Sequence, residues 1–281
     1  MSVATQYIPA AFSLTAVAVW GASDFLGGVG ARRLNAFLFT AIVHASGLIV
    51  VGCFAWLIHA PFPGSASLSW SLLAGALGGL SLVFFYRALS RGNMGLVAPV
   101  AAVLSAAIPT LVSALGAGFP GTWKVLGFLL AGTGVWLISR TEADAGRPEG
   151  LGVAVLAGIG FAGFYLCTHK AGNASALWVA TCSRAASFLV TATMVVCGRQ
   201  LRRVSAPVLA IACVAGILDI TGSVMFIRAS QTGRLDAAVV LSSLYPAVTV
   251  VLARVFLHEH FSRGRTIGMV AALAAVPMIA G

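Results

Sequence analysis

Of the chain's 281 residues, 59% are hydrophobic and only 9% charged, far below the roughly 25% charge that keeps a soluble globular surface wet. A mean hydropathy of +1.00 also excludes a disordered chain, which is poor in apolar residues, so the composition is that of an integral membrane protein. The net charge of +10 does not mark a nucleic-acid binder, because the basic residues fall in short clusters between apolar runs (Arg32-Arg33, Arg87 and Arg91, Arg199 with Arg202-Arg203, Arg263 and Arg265), the loop signature of a polytopic protein.

A bilayer-spanning helix needs about 20 apolar residues. Such runs fall at 8–29, 35–58, 68–88, 95–117, 123–139, 151–170, 175–197, 207–228, 235–257 and 266–281, predicting an all-α integral membrane protein of ten transmembrane helices. No basic region precedes the first run, which is therefore expected to be a retained span rather than a signal peptide. The connections are short, so neighbouring spans must be antiparallel and a soluble domain has no place to sit. The runs are continuously apolar, not alternating, which argues against a β-barrel.

The one distinctly polar stretch, Ser139–Gly150, holds three of the seven acids and lies at the midpoint. It divides the chain into an N-terminal five-helix repeat (1–140), a polar linker (141–150) and a C-terminal five-helix repeat (151–281). Shifting the second half back by 141 residues places Phe85-Tyr86-Arg87-Ala88 on Phe226-Ile227-Arg228-Ala229, Gly92 on Gly233 and Gly127 on Gly268. The identities are few, and the coincident span pattern carries the argument. An odd number of spans per half turns one copy upside down, the inverted-repeat architecture of alternating-access transporters with their site at the midplane.

Trp20-Gly21-Ala22-Ser23-Asp24-Phe25 resembles the W-G-x-x-x-F opening of the drug/metabolite transporter superfamily, EamA type. Phe84–Leu89 with Gly92 and the Pro109 span resembles that family's third-to-fourth helix junction, and Leu241–Glu259 followed by Gly268 its ninth and tenth helices. The acid that closes the family's fourth helix is Gly118 here, while its counterpart Glu259 is present; the arginine usual in the second helix is His44, while that of the seventh is Arg184. The resemblance implies efflux of small organic molecules, often amino acids or related metabolites, across a bacterial inner membrane.

Several motifs are decoys. Gly158, Gly160 and Gly163 match G-x-G-x-x-G but lie inside an apolar span with no acid between Glu149 and Asp219, so close helix packing accounts for them better than nucleotide binding. Gly75 and Gly79 have small-xxx-small spacing, again a packing signal. His258-Glu259-His260 is not H-E-x-x-H. The five cysteines are odd in number, lack C-x-x-C and lie in apolar runs, so neither disulfides nor a metal site is expected. Asp24 and Asp219 lack the sequence context of an intramembrane aspartyl protease, and no Walker motif points to ATP. Neither an enzyme nor a cofactor is expected.

Ionisable groups inside a bilayer are expensive, so a functional reading is the default. Asp24, His44, Arg184 and Asp219 qualify; the plain alternative is a static pair that orders the bundle. Trp20 and Asp24 share a helix face at i, i+4, and the 141 shift maps them to Phe161 and Tyr165. An interfacial anchor is the alternative for Trp20. Tyr245, with Ser242 and Thr249 on its face, is the lining candidate from the ninth span, and Pro246 beside it suggests a gating kink or a packed one. Arg184 lies nine residues into its span and Asp219 twelve residues from the opposite face, roughly 13–14 Å and 18 Å at 1.5 Å per residue. In a core of about 30 Å these are nearly one depth, so an ion pair is open to them.

The expectation is a secondary-active exporter working by alternating access, with an importer as runner-up and a channel or intramembrane enzyme as the readings from other classes. Its partners would be the lipid bilayer, a small-molecule substrate and protons, with no nucleic acid, acting as a monomer or a dimer. The odd-numbered loops hold about eleven basic residues and the even-numbered about four, which by the positive-inside rule places both termini outside; the resemblance implies termini inside.

Overall fold

The computed structural model describes residues 3–91, 94–117, 121–140, 150–233, 235–258 and 263–280. Gly92, Gly118, Glu259 and the polar segment 141–149 lie outside the described residues. In hydrocarbon every backbone N–H and C=O must be satisfied within the segment, and the apolar runs accordingly fold as helices. These are α1 (Val3–Arg33), α2 (Ala36–Leu57), α3 (Ser65–Arg91), α4 (Met94–Ala117), α5 (Thr122–Arg140), α6 (Leu151–Lys170), α7 (Ala176–Cys197), α8 (Ala206–Thr232), α9 (Leu235–Ser242), α10 (Tyr245–Phe256) and α11 (Arg263–Ala280). Among the described residues, α1, α2, α3, α6, α7 and α8 are long and apolar enough to cross a membrane, and shorter apolar stretches run over Val97–Val112, Val125–Gly134 and Tyr245–Phe256. Large apolar side chains such as Ile49, Leu57, Leu129, Leu189 and Ile267 are exposed, as on a surface that faces lipid.

Local chemistry sets the helix ends. The Asn35 side chain accepts from the Phe37 N–H at 2.8 Å and caps α2, satisfying one of its orphan donors. α2 and α7, each of 22 residues, end alike. His59 and Arg199 take positive φ of 52° and 50°. The next amide folds back onto the helix in each, Ala60 to the Ala55 carbonyl at 3.0 Å and Gln200 to that of Val195 at 2.9 Å. α3 and α8 also match, at 27 residues each.

The expected span at 235–257 is broken into α9 and α10 at Ser243-Leu244. Pro246 has no N–H and its ring crowds the carbonyl four residues back. The chain passes this point on tight turns, Leu244 N–H to the Leu241 carbonyl at 3.2 Å and Ala247 N–H to that of Leu244 at 3.0 Å. The anticipated kink is a full interruption.

The helices pair across the halves: α1 lies along α8 and α3 along α6, α2 packs on α7 and α5 on α11, α4 meets α6 and α10 meets α1. Small residues allow these approaches. A Cβ at Gly75 would overlap the Ser183 carbonyl, and one at Gly79 would lie 2.8 Å from the Ser187 Cα, so α3 and α7 touch backbone to backbone. Gly158 faces the Ala101 carbonyl on α4, and Gly160 and Gly163 face Ser81 and Leu77 on α3. The G-x-G-x-x-G spacing is a packing seam.

Candidate functional site

A cavity opens between α1, α3, α6, α7, α8 and α10, of which about 50 Å³ is open to the centres of water molecules, room for a few waters or one small headgroup. α1 contributes Trp20 and Asp24, one turn apart on one face, and α6 contributes Phe161 and Tyr165 at the same spacing. α3 contributes Gly78 and Leu82, α8 Asp219 and Ser223, and α7 Ser183, Arg184 and Ser187. Tyr245 enters from the first turn of α10, just past the helix break.

The Arg184–Asp219 pair expected from depth is present. Nη2 of Arg184 lies 2.5 Å from Oδ2 of Asp219, with the two side chains 8% and 9% exposed. The same nitrogen donates to Ser223 Oγ at 3.2 Å, and Ser223 donates to the Asp219 carbonyl at 3.0 Å. Arg184 is thus held to α8 by a charge and a hydroxyl. From α7, Ser187 Oγ donates to the Gly75 carbonyl at 2.7 Å, anchoring that helix to α3.

Trp20 is no interfacial anchor: it is buried, and its indole Nε1 donates to the Asp219 carbonyl at 3.1 Å. A Cβ at Gly222 would lie 2.5 Å from the Trp20 Cδ1, so glycine there makes the seat for the ring. Around it stand Tyr165, Tyr245 and Phe226, with centroids 6.1, 6.3 and 5.8 Å from that of Trp20. α10 is tied to α1 where Thr249 Oγ1 donates to the Gly21 carbonyl at 3.1 Å. Three polar atoms of the lining residues, Arg184 Nε, Asp219 Oδ2 and the Tyr245 hydroxyl, are buried without a hydrogen-bond partner, Oδ2 meeting Arg184 as an ion pair. In a native interior such orphans call for an explanation, an absent water or ligand among them.

The structure therefore brings together Trp20, Asp24, Tyr165, Arg184, Asp219 and Tyr245. It does not bring His44 or Ser242 to the cavity wall. The ring of His44 is buried one layer behind, its Nδ1 3.3 Å from Thr191 Oγ1. Thr191 already donates to the Ser187 carbonyl at 2.9 Å, so its oxygen accepts from the imidazole, and Nε2 is left without a partner. Ser242 is fully buried at the end of α9, its hydroxyl unpartnered. Sequence reasoning missed Ser183, Ser187 and Ser223, although the last two lie three and four residues from Arg184 and Asp219, within one helical turn.

What the fold and cavity define is a multi-pass helical membrane protein with a polar site buried among its helices. Residues 149–281 match the family model described as the EamA-like transporter family, so the second half is an EamA-like domain of the drug/metabolite transporter type, in agreement with the motif resemblance. That family consists of transporters, not enzymes. No curated protein matches the chain. Among solved structures 28 chains match. One of them, described only as a crystal structure of a protein, aligns over 96% of this chain and 97% of its own at a TM-score of 0.73 and 16% identity. At that identity the likeness speaks for the fold alone, a fold shared over nearly the whole chain.

Proposed function

We propose that the protein is a secondary-active exporter of small organic metabolites, amino acids or related compounds foremost, working in a bacterial inner membrane by alternating access between two inverted five-helix repeats. The observation that carries this reading is the pairing of the cavity lining. Trp20 and Phe161, Asp24 and Tyr165, Gly78 and Asp219, and Leu82 and Ser223 all line it, and in each pair the two numbers differ by 141. A cavity built twice from equivalent positions lies on the axis relating two copies, which is where such transporters place their site.

The helix neighbours support it. Exchanging the halves turns the α1–α8 contact into α6–α3 and the α4–α6 contact into that of α9 and α10 with α1, while α2–α7 and α5–α11 map onto themselves; all of these contacts are made. On this reading α9 and α10 together form one of ten spans, with α4, α5 and α11 completing the count. The break before Pro246 sets Tyr245 at the cavity on a helix start that can pivot.

Counterflow in liposomes tests the reading. Vesicles loaded with single amino acids or metabolites are expected to exchange at least one labelled compound faster than protein-free vesicles, with saturation. Saturable exchange of none across the panel overturns it, and stepwise single-channel currents would favour a channel. Accumulation in cells producing the protein separates export from import.

A further inference from the structure

The charges around the cavity do not balance. Asp24, Asp219 and Arg184 border it, and Arg184 closes on Asp219 at 2.5 Å. Asp24 is left over. Among the described residues no hydrogen bond or ion pair reaches its carboxylate, and the charge it faces is that of Asp219. The residue is 5% exposed, and an unpaired ionised group at membrane depth is costly unless it faces a wet cavity or a counter-charge.

The walls beside it suit a cation. Trp20 lies one turn away on the same face, and its ring stands 6.1 Å from that of Tyr165 and 6.3 Å from that of Tyr245 between centroids. Aromatic faces draw a positive group, and beside Trp20 the ring of Tyr165 lies at 36° and that of Tyr245 edge-on at 78°. Tyr245 lines the cavity and its buried hydroxyl has no hydrogen-bond partner, so an acceptor for one N–H stands unfilled. An anion fares worse: the cation it would seek is already held by Asp219 and, at 3.2 Å, by Ser223, and it would have to approach two carboxylates.

We infer that this cavity binds the protonated amine of a net-cationic organic molecule, with Asp24 as its counter-ion, the Tyr245 hydroxyl as a hydrogen-bond acceptor, and Trp20 and Tyr165 as flanking faces. The inference rests on the transporter reading and replaces its preference for amino acids: within the class of small metabolites, amines that carry no balancing carboxylate are preferred over zwitterions and acids. An open volume of about 50 Å³ admits an ammonium head with a few carbons.

The test compares three probes of one size, propylammonium, 1-propanol and propionate, titrated at constant ionic strength into the purified protein in lipid nanodiscs. Tryptophan fluorescence is the readout, with Trp20→Phe identifying the signal from the cavity. Propylammonium is expected to give a saturable change and the other two none. Asp24→Asn should weaken its binding about tenfold or more, the scale of one hydrogen bond to a charged group, and Tyr245→Phe by less. Propionate binding as tightly as propylammonium, no propylammonium binding, or equal binding by Asp24→Asn overturns the inference. Should Asp24→Asn fail to insert, the three-probe contrast on the unaltered protein decides. Counterflow separates the two levels. Exchange confined to acids or neutral compounds sinks the amine site and leaves the transporter standing, whereas amine binding without exchange of any compound does the reverse.

Discussion

Removing either member of the Arg184–Asp219 pair is expected to cost more than removing both. Arg184→Ala leaves the Asp219 carboxylate, on a residue 6% exposed, with no cation against it; Asp219→Ala leaves the guanidinium with Ser223 alone. Losing one partner of a buried pair typically costs about 3–5 kcal/mol. The adjoining cavity admits a few waters, which favours the lower end, about 3 kcal/mol for each single variant. The double variant strands no charge. It forfeits the pair and the 3.2 Å bond to Ser223, an overall loss of about 1–2 kcal/mol. The coupling between the two sites should therefore be about 4–5 kcal/mol, well beyond the additivity of independent positions. Unfolding of the four proteins in one detergent, followed by loss of the monodisperse chromatographic peak with temperature, should rank the double variant above both singles. A double variant as unstable as the sum of the singles would refute the reasoning, since the two charges would then not be balancing each other.

Gly75→Leu forces a side chain into the Ser183 carbonyl and should destabilise by about 1–3 kcal/mol through overpacking, while Gly64→Ala, where nothing lies within 4 Å, should leave the same melting temperature. Tyr245→Phe deletes a hydroxyl that has no partner; stability should stay within about 0.5 kcal/mol, and concentration-dependent transport should show a raised KM. His44 is fully enclosed with Thr191 as its hydrogen-bond partner, so His44→Ala should lower the melting temperature, by about 1–3 kcal/mol of stability; an unchanged melting temperature would refute that packing role.

The helices were legible in the chain because the solvent leaves no alternative. A backbone in hydrocarbon must bond to itself, so each apolar run declares a helix, and Pro246 marks where one of them stops. The 141 register was legible too, and it set Trp20 and Asp24 against Phe161 and Tyr165, all four of which line the cavity. Depth could be counted along the chain at a fixed rise per residue, which is why Arg184 and Asp219 could be matched before their positions were known. Rotation about the helix axis could not. His44 was a candidate for the site as an ionisable group within a span, yet its ring turns to Thr191 on α7, and Ser242 shares a sequence spacing with Tyr245 but lies beyond a broken helix. Which of two acids takes the one arginine depends on how α7 and α8 are turned toward each other. That in turn depends on contacts such as the one between Trp20 and the Asp219 carbonyl, made between residues 199 positions apart. By itself the sequence determined that the chain spans a membrane with four ionisable groups inside it. Only the tertiary structure decided that Asp219 is paired with Arg184 and Asp24 is not, because pairing at a shared depth is set by the mutual rotation of helices, and that is fixed by packing between distant parts of the chain.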